Sequence, residues 1–251
     1  LNTNMARLSY QAELDNQLLL NTLEYRFAAF GDRMVFTLQP VGFSLSSVLS
    51  ANSPYVGAGQ GAISRFGESS PIFKIGNLDA GVGFDWLVAD RLRLQFAYGA
   101  RNASNATEGL FSSKHSALGV QLYYKPSDRF QTGLAYVNAY ANDGRLDTFT
   151  GSYNADTSGE FNEPAQIHAL NATVQWRLAP KLVFGTWGGL VVANSLKSDA
   201  ITLSSTYLVS LGLYDPFGRK GDLLAVLVGQ PLKLNAGFLI ESEDKATSLH
   251  Y

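Results

Sequence analysis

At 251 residues the chain is long enough for one or two soluble domains or for most of one membrane β-barrel, and with 46% hydrophobic and 16% charged residues it is too apolar to be disordered. Its longest apolar run, residues 223–229, falls far short of the roughly 18–20 residues that a membrane-spanning helix needs, which excludes helical spans. Nineteen basic against 21 acidic residues leave a formal charge of −2 and argue against a nucleic-acid partner, while the absence of cysteine removes disulfides, thiolate metal sites and cysteine nucleophiles together.

Along the chain the dominant signal is a period of two. Ala6, Leu8, Tyr10 and Ala12 alternate with Arg7, Ser9, Gln11 and Glu13, which predicts a strand over 5–13. Strands are expected next over 18–29 and 33–45, the second carrying Met34, Phe36 and Leu38 against Arg33, Thr37 and Gln39. Two more follow at 76–87 and 91–101, where Leu92, Leu94, Phe96 and Tyr98 interleave with Arg91, Arg93, Gln95 and Ala97. The pattern returns over 114–124, 130–140, 165–177, 182–193, 201–214 and 222–229, and a twelfth strand starts near Thr247.

Breakers divide these segments regularly. Short turns fall at 30–33, 88–91, 125–129, 178–181 and 215–221, and longer Asn/Ser/Gly-rich stretches at 46–72, 102–113, 141–164, 194–200 and 230–247. Consecutive connections of an antiparallel sheet lie at opposite ends, so this alternation predicts one trimmed end and one end carrying the large loops. Several strands exceed the five or six residues common in soluble proteins and match the 9–11 that a tilted strand needs to cross a bilayer.

Together these features predict an all-β fold, a large antiparallel transmembrane β-barrel with residues 1–251 forming a single outer-membrane domain. Hydrocarbon offers peptide groups no hydrogen bonds, so a sheet can cross it only when closed on itself, with its apolar face outward and its polar face toward enclosed water. Tyr25, Phe27, Trp86, Tyr98, Tyr123, Tyr124, Trp176 and Tyr214 fall near strand ends and suit interfacial girdles. A soluble barrel or sandwich with the two faces reversed is the competing reading.

The stretch 46–72 is the best candidate for a pore-constricting loop. Folded inward, it would bring the charges of Arg65 and Lys74 to the narrow region, opposed by Glu68 and Asp79. Alternatively, Arg65 pairs with a carboxylate and pins the loop to the wall. Arg7, Arg26, Arg91, Arg93 and Arg101 could form a basic strip along the lumen among Gln11, Gln39, Gln95 and Gln121, or pair with Glu24, Asp79 and Asp85 to stiffen it. Sugars or inorganic ions would both suit such a lining. No phosphate-binding glycine loop and no metal-ligand spacing is present, so no cofactor or metal is expected. His168 lies near Asn171 but in register with Leu170, Val174 and Trp176, where a girdle histidine is a plainer account than a catalytic base.

Three stretches go beyond barrel physics: Gly61-Ala62-Ile63-Ser64-Arg65-Phe66-Gly67, Pro126-Ser127-Asp128-Arg129 followed by Gly133-Leu134-Ala135-Tyr136-Val137-Asn138, and 218–231 ending Val228-Gly229-Gln230-Pro231. With Gly109-Leu110-Phe111 and 184–189, they resemble the carbohydrate-selective porin family, closest to its cyanobacterial iron-uptake or S-layer-homology branch. That resemblance implies a passive channel for small hydrophilic solutes (inorganic ions, iron species or carbohydrates), not an enzyme, in the outer membrane of cyanobacteria. It also implies outer-membrane lipid as surroundings, a homotrimeric assembly, and contact with cell-wall polymer through a module outside this segment. Further strands are expected beyond this segment at one or both ends. A structural protein anchoring the outer membrane to the wall is the alternative function.

Overall fold

The computed structural model describes residues 20–56, 62–103, 105, 107, 109–111, 113–152, 154–155, 162–241 and 245–250, with strand placement alone for 238–241 and 245–250. The expected first strand over 5–13, and Arg7 with it, lies outside the described residues.

Among the described residues, eleven strands make one antiparallel meander in which each pairs with its sequence neighbours. They are β1 (Leu23–Ala29), β2 (Met34–Val41), β3 (Ala80–Ala89), β4 (Leu92–Ala100), β5 (His115–Ser127), β6 (Phe130–Ala141), β7 (Ala165–Ala179), β8 (Leu182–Ser195), β9 (Ile201–Tyr214), β10 (Leu223–Glu241) and β11 (Lys245–His250). Among the described residues the ladder ends at β1 on one side and β11 on the other. The only α-helix there is one turn, α1 (Arg65–Glu68), and no described helix is long and apolar enough to cross a membrane.

Hairpins join β1–β2, β3–β4, β5–β6, β7–β8 and β9–β10 at one end. The first turns over Gly31, whose φ of +70° costs a residue without a Cβ little strain. The opposite end carries the connections 42–79, 101–114 and 142–164. One expected long connection is corrected: most of 230–247 is strand. Pro231 reads as a breaker, but β10 passes it with a register shift between Gln230 and Lys233, because a bulge spares the ladder the N–H that proline lacks.

Alternation sorts the residues onto two unlike faces. On one, Gly83, Gln95, Ala97, Gly119, Gln121, Ala135, Val137, Asn171, Thr173 and Ser210 are buried, nearly all small or polar. The other keeps large apolar side chains exposed, including Leu134 at 57%, Leu170 at 51%, Leu190 at 52% and Val226 at 67%. Water tolerates no apolar wall of that extent on a monomer, whereas hydrocarbon does. Phe27, Phe36, Phe84 and Phe96 face each other on successive strands of this outer surface, with ring centroids 5.3, 6.1 and 5.4 Å apart. Tyr123 departs from its expected girdle position: its hydroxyl donates to Gln131 Oε1 at 2.9 Å, and by strand phase it shares the inner face with Gln121 and Arg93.

Candidate functional site: two loops folded onto the inner face

The connection 42–79 turns back over the inner face. Gly42 starts it at φ +76°, its carbonyl held by Gln39 Nε2 at 2.8 Å, and the Phe43 amide donates to the Asp79 carbonyl at 3.0 Å, closing the neck. Phe43, Leu45, Leu49, Ile72, Phe73 and Ile75 are fully buried beneath it, packed against Ala97, Ala117, Val137, Ile167 and Val191 of the wall. Glycines of the wall make room: a side chain on Gly99 would run into Phe43, on Gly83 into Val48, on Gly119 into Leu49, and on Gly189 into Ile72.

Polar contacts fix the register of this packing. Gln95 exchanges two bonds with Ser50, accepting from its amide and donating to its hydroxyl, each 2.9 Å. Gln121 Nε2 donates to the Ser50 carbonyl at 2.9 Å, Asn52 Nδ2 to Thr173 Oγ1 at 2.8 Å, and Ser70 Oγ to Asn171 Oδ1 at 2.7 Å. Every wall partner here is buried, so these bonds offset the cost of taking its polar groups out of water.

A second connection joins the first. Leu146 and Ala155 are buried, the Gly76 amide donates to the Leu146 carbonyl at 2.8 Å, and the Ser152 amide to the Leu232 carbonyl at 2.8 Å, inside the β10 bulge. Arg101 binds both loops, with Nη2 on Asp147 at 2.6 Å and Nε on the Gly76 carbonyl at 2.8 Å. His115 Nε2 lies 2.8 Å from Asp143 Oδ1. His115, Asp143 and Asp147 bring ligand atoms within 4.8 Å of one another, but Arg101 and Arg145 already engage the carboxylates, so the cluster is an ionic clasp rather than a metal cage.

The expected site residues therefore divide by height along the wall. Arg65 pairs with Glu68 at 4.0 Å and lies over the Phe149 ring at 5.3 Å, which pins one loop against the other. Lys74 Nζ donates to Ser44 Oγ at 3.1 Å and Ser46 Oγ at 3.0 Å; burial pushes its pKa down, the charge of Arg65 adds to this, and Glu68 opposes it. Asp79 faces neither cation: its carboxylate accepts from the amides of Asn102 and Ala103 and shapes the next turn. Arg26 pairs with Glu24 and donates to the Ser47 carbonyl at 2.8 Å. Arg93 pairs with Asp85 at 2.8 Å near the hairpin end, and Arg91 is exposed beside it. Arg26, Arg101, Arg91 and Arg93 thus do not form one continuous strip: the first two hold loops, and the last two stand at the hairpin end of the sheet.

His168 and Asn171 face opposite ways. Asn171 lies on the inner face with Ser70, whereas His168 Nδ1 meets the Tyr136 hydroxyl at 2.7 Å on the outer face, so the two cannot cooperate in catalysis. The wall glycines and the clasp were invisible in sequence, because their partners are distant in the chain.

The sequence profile of the carbohydrate-selective porin (OprB) family matches residues 1–248. An uncharacterized protein of Synechocystis sp., sll0772, is 26% identical over 271 aligned residues, covering 99% of this chain and 49% of its own length. Another of Nostoc sp., alr4550, is 24% identical over 233, covering 86% of this chain and 40% of its own. The chain thus spans about half the length of the curated relatives it matches. With a match over nearly its whole length, joined to an antiparallel wall of porin type, the chain belongs to the carbohydrate-selective porin family.

Proposed function

We propose that the protein forms a passive diffusion channel for small hydrophilic solutes across an outer membrane. The observation that carries this is the inversion of the sheet, with exposed Leu and Phe on one face and buried Gln, Asn and Thr on the other. Only an apolar surround outside and an aqueous passage inside suit that arrangement.

In this reading the loops 42–79 and 142–155 narrow the passage, a wider inward segment than 46–72. Half-buried Lys74, with Arg65 and Glu68 beside it, biases the narrow region toward anions, and Arg91 and Arg93 add positive charge at the hairpin mouth. Transport needs no cofactor or energy source. Inorganic ions and neutral sugars both fit the lining of Gln, Asn, Ser and Thr, and three copies packed wall to wall would shield part of the apolar surface.

Planar-bilayer recording of the intact protein tests the reading: stepwise, weakly voltage-dependent currents are expected. Verified insertion without conductance would overturn it in favour of an envelope anchor. Liposome swelling with sugars of graded size then separates a sugar path from one for ions.

A further inference from the structure

The hairpin rim repeats one device at four successive positions. The Arg33 carbonyl accepts the Leu87 amide at 2.8 Å, Arg91 that of Lys125 at 2.9 Å, Arg129 that of Arg177 at 2.7 Å, and Lys181 that of Tyr214 at 2.8 Å. Each bond ties one hairpin to the next, and in each the accepting residue is basic. Two of the donors, Lys125 and Arg177, are basic as well.

The four accepting residues are the last turn residues before β2, β4, β6 and β8, one step outside strands that carry Thr37, Gln95, Gln131 and Val183 on the inner face. Neighbouring strands lie about 4.8 Å apart, so a cation recurs roughly every 10 Å along this rim, with Asp32, Asp90 and Asp128 each preceding one of them. Positive charge crowded at a confined opening with low-dielectric walls raises the local concentration of anions.

Along this rim lies a cavity of about 520 Å³ whose lining includes the cations Arg91, Arg93 and Lys125, the carboxylates Asp90 and Asp128, and Ser50 and Ser127. Lys125 engages Asp128 at 3.3 Å and Arg93 engages Asp85 at 2.8 Å. Arg91 has no ion pair among the described residues, and its planar fork suits an oxyanion. Hydroxyls of Ser50 and Ser127 supply further donors.

We propose that the hairpin mouth is an anion-binding vestibule, in which the cavity between Arg91, Arg93 and Lys125 takes an oxyanion of the phosphate class, free or carried on a small solute. Its consequence for transport rests on the channel reading; the binding itself does not.

Calorimetric titration of the detergent-solubilised intact protein with inorganic phosphate tests it. Saturable binding is expected, weakened about tenfold or more in Arg91→Gln and in Lys125→Gln, where one charge-assisted contact is lost. Asp128→Asn, which frees Lys125, should tighten it, and Lys197→Gln in the opposite loop end should leave it unchanged. No saturable binding, wild-type affinity in both Arg91→Gln and Lys125→Gln, or binding only to phosphate presented on phosphatidylglycerol vesicles would overturn the proposal. Conductance without phosphate binding keeps the channel and removes the vestibule, whereas binding without conductance does the reverse.

Discussion

The ring of Phe43 occupies the space where a side chain on Gly99 would begin: an ideal Cβ there would stand 2.5 Å from its nearest ring atoms. Gly81, the cross-strand partner of Gly99, presents the same bare backbone to the same ring. Loop and wall are therefore fitted to each other at one point. Gly99→Ala should force the ring out and cost about 1–3 kcal/mol, as overpacking does, and Phe43→Leu in the same chain should recover part of that loss. Thermal unfolding of the four members of this cycle in detergent measures it; strictly additive costs would sink the assignment.

Most of the wall was legible because alternation is local: Leu94, Phe96 and Tyr98 declare one face within five residues, and the turn residues at 30–33 and 90–91 declare the ends. The inward direction of 46–72 was legible only as an expectation from loop length. Its seats were not, since Gly81, Gly119 and Gly189 acquire meaning from Phe43, Leu49 and Ile72, which meet them only in the folded sheet. For the same reason Arg101 read as a lumen arginine, although Asp147, its partner, stands in a different connection. Pro231 misled because a proline in a bulge and a proline in a loop look alike from neighbouring residues alone.

Phe96 lies at the end of the outer row of rings, and Arg93, three residues away, points to the inner face. Phe96→Arg should cost about 2–4 kcal/mol if it meets the bilayer midplane, and less nearer an interface, and it should lower the yield of inserted protein. Arg93→Glu should leave insertion intact and shift the zero-current potential in asymmetric salt toward cations, because it sets a second carboxylate beside Asp85. Unimpaired insertion of the first variant, or unchanged ion preference in the second, would reverse the two faces.

Lys74 supplies a pH signature. Burial and the Arg65 charge lower its pKa from 10.5, so the native protein gives up this proton before the unfolded chain does. Native stability therefore rises with pH across the window between the lowered value and 10.5, where the unfolded chain still holds the proton. Anion preference should decline as pH rises through the lowered native value, where the narrow region loses a charge. Zero-current potentials recorded from neutral pH upward should show the decline in the wild type and not in Lys74→Met. A parallel decline in the variant would assign the titration elsewhere.

Asp143 should respond at the acid end. Burial favours its neutral form, but the bond from the Arg145 amide, the bond to His115, and the charges of both residues outweigh burial and hold its pKa below the ordinary 3.8. A carboxylate depressed in the native state adds stability that is present above its unfolded value and is lost as pH falls through the native one. What it secures is the loop 142–155, clasped to β5 through His115. Hydrogen exchange of that loop should accordingly be slower in the wild type than in Asp143→Asn at neutral pH. The difference should shrink as pH falls from 3.8 and close below the lowered native value, where both chains carry a neutral group at the clasp. A difference that persists unchanged into strong acid would show that the loop is held by its apolar contacts, Leu146 and Ala155, with the clasp contributing nothing.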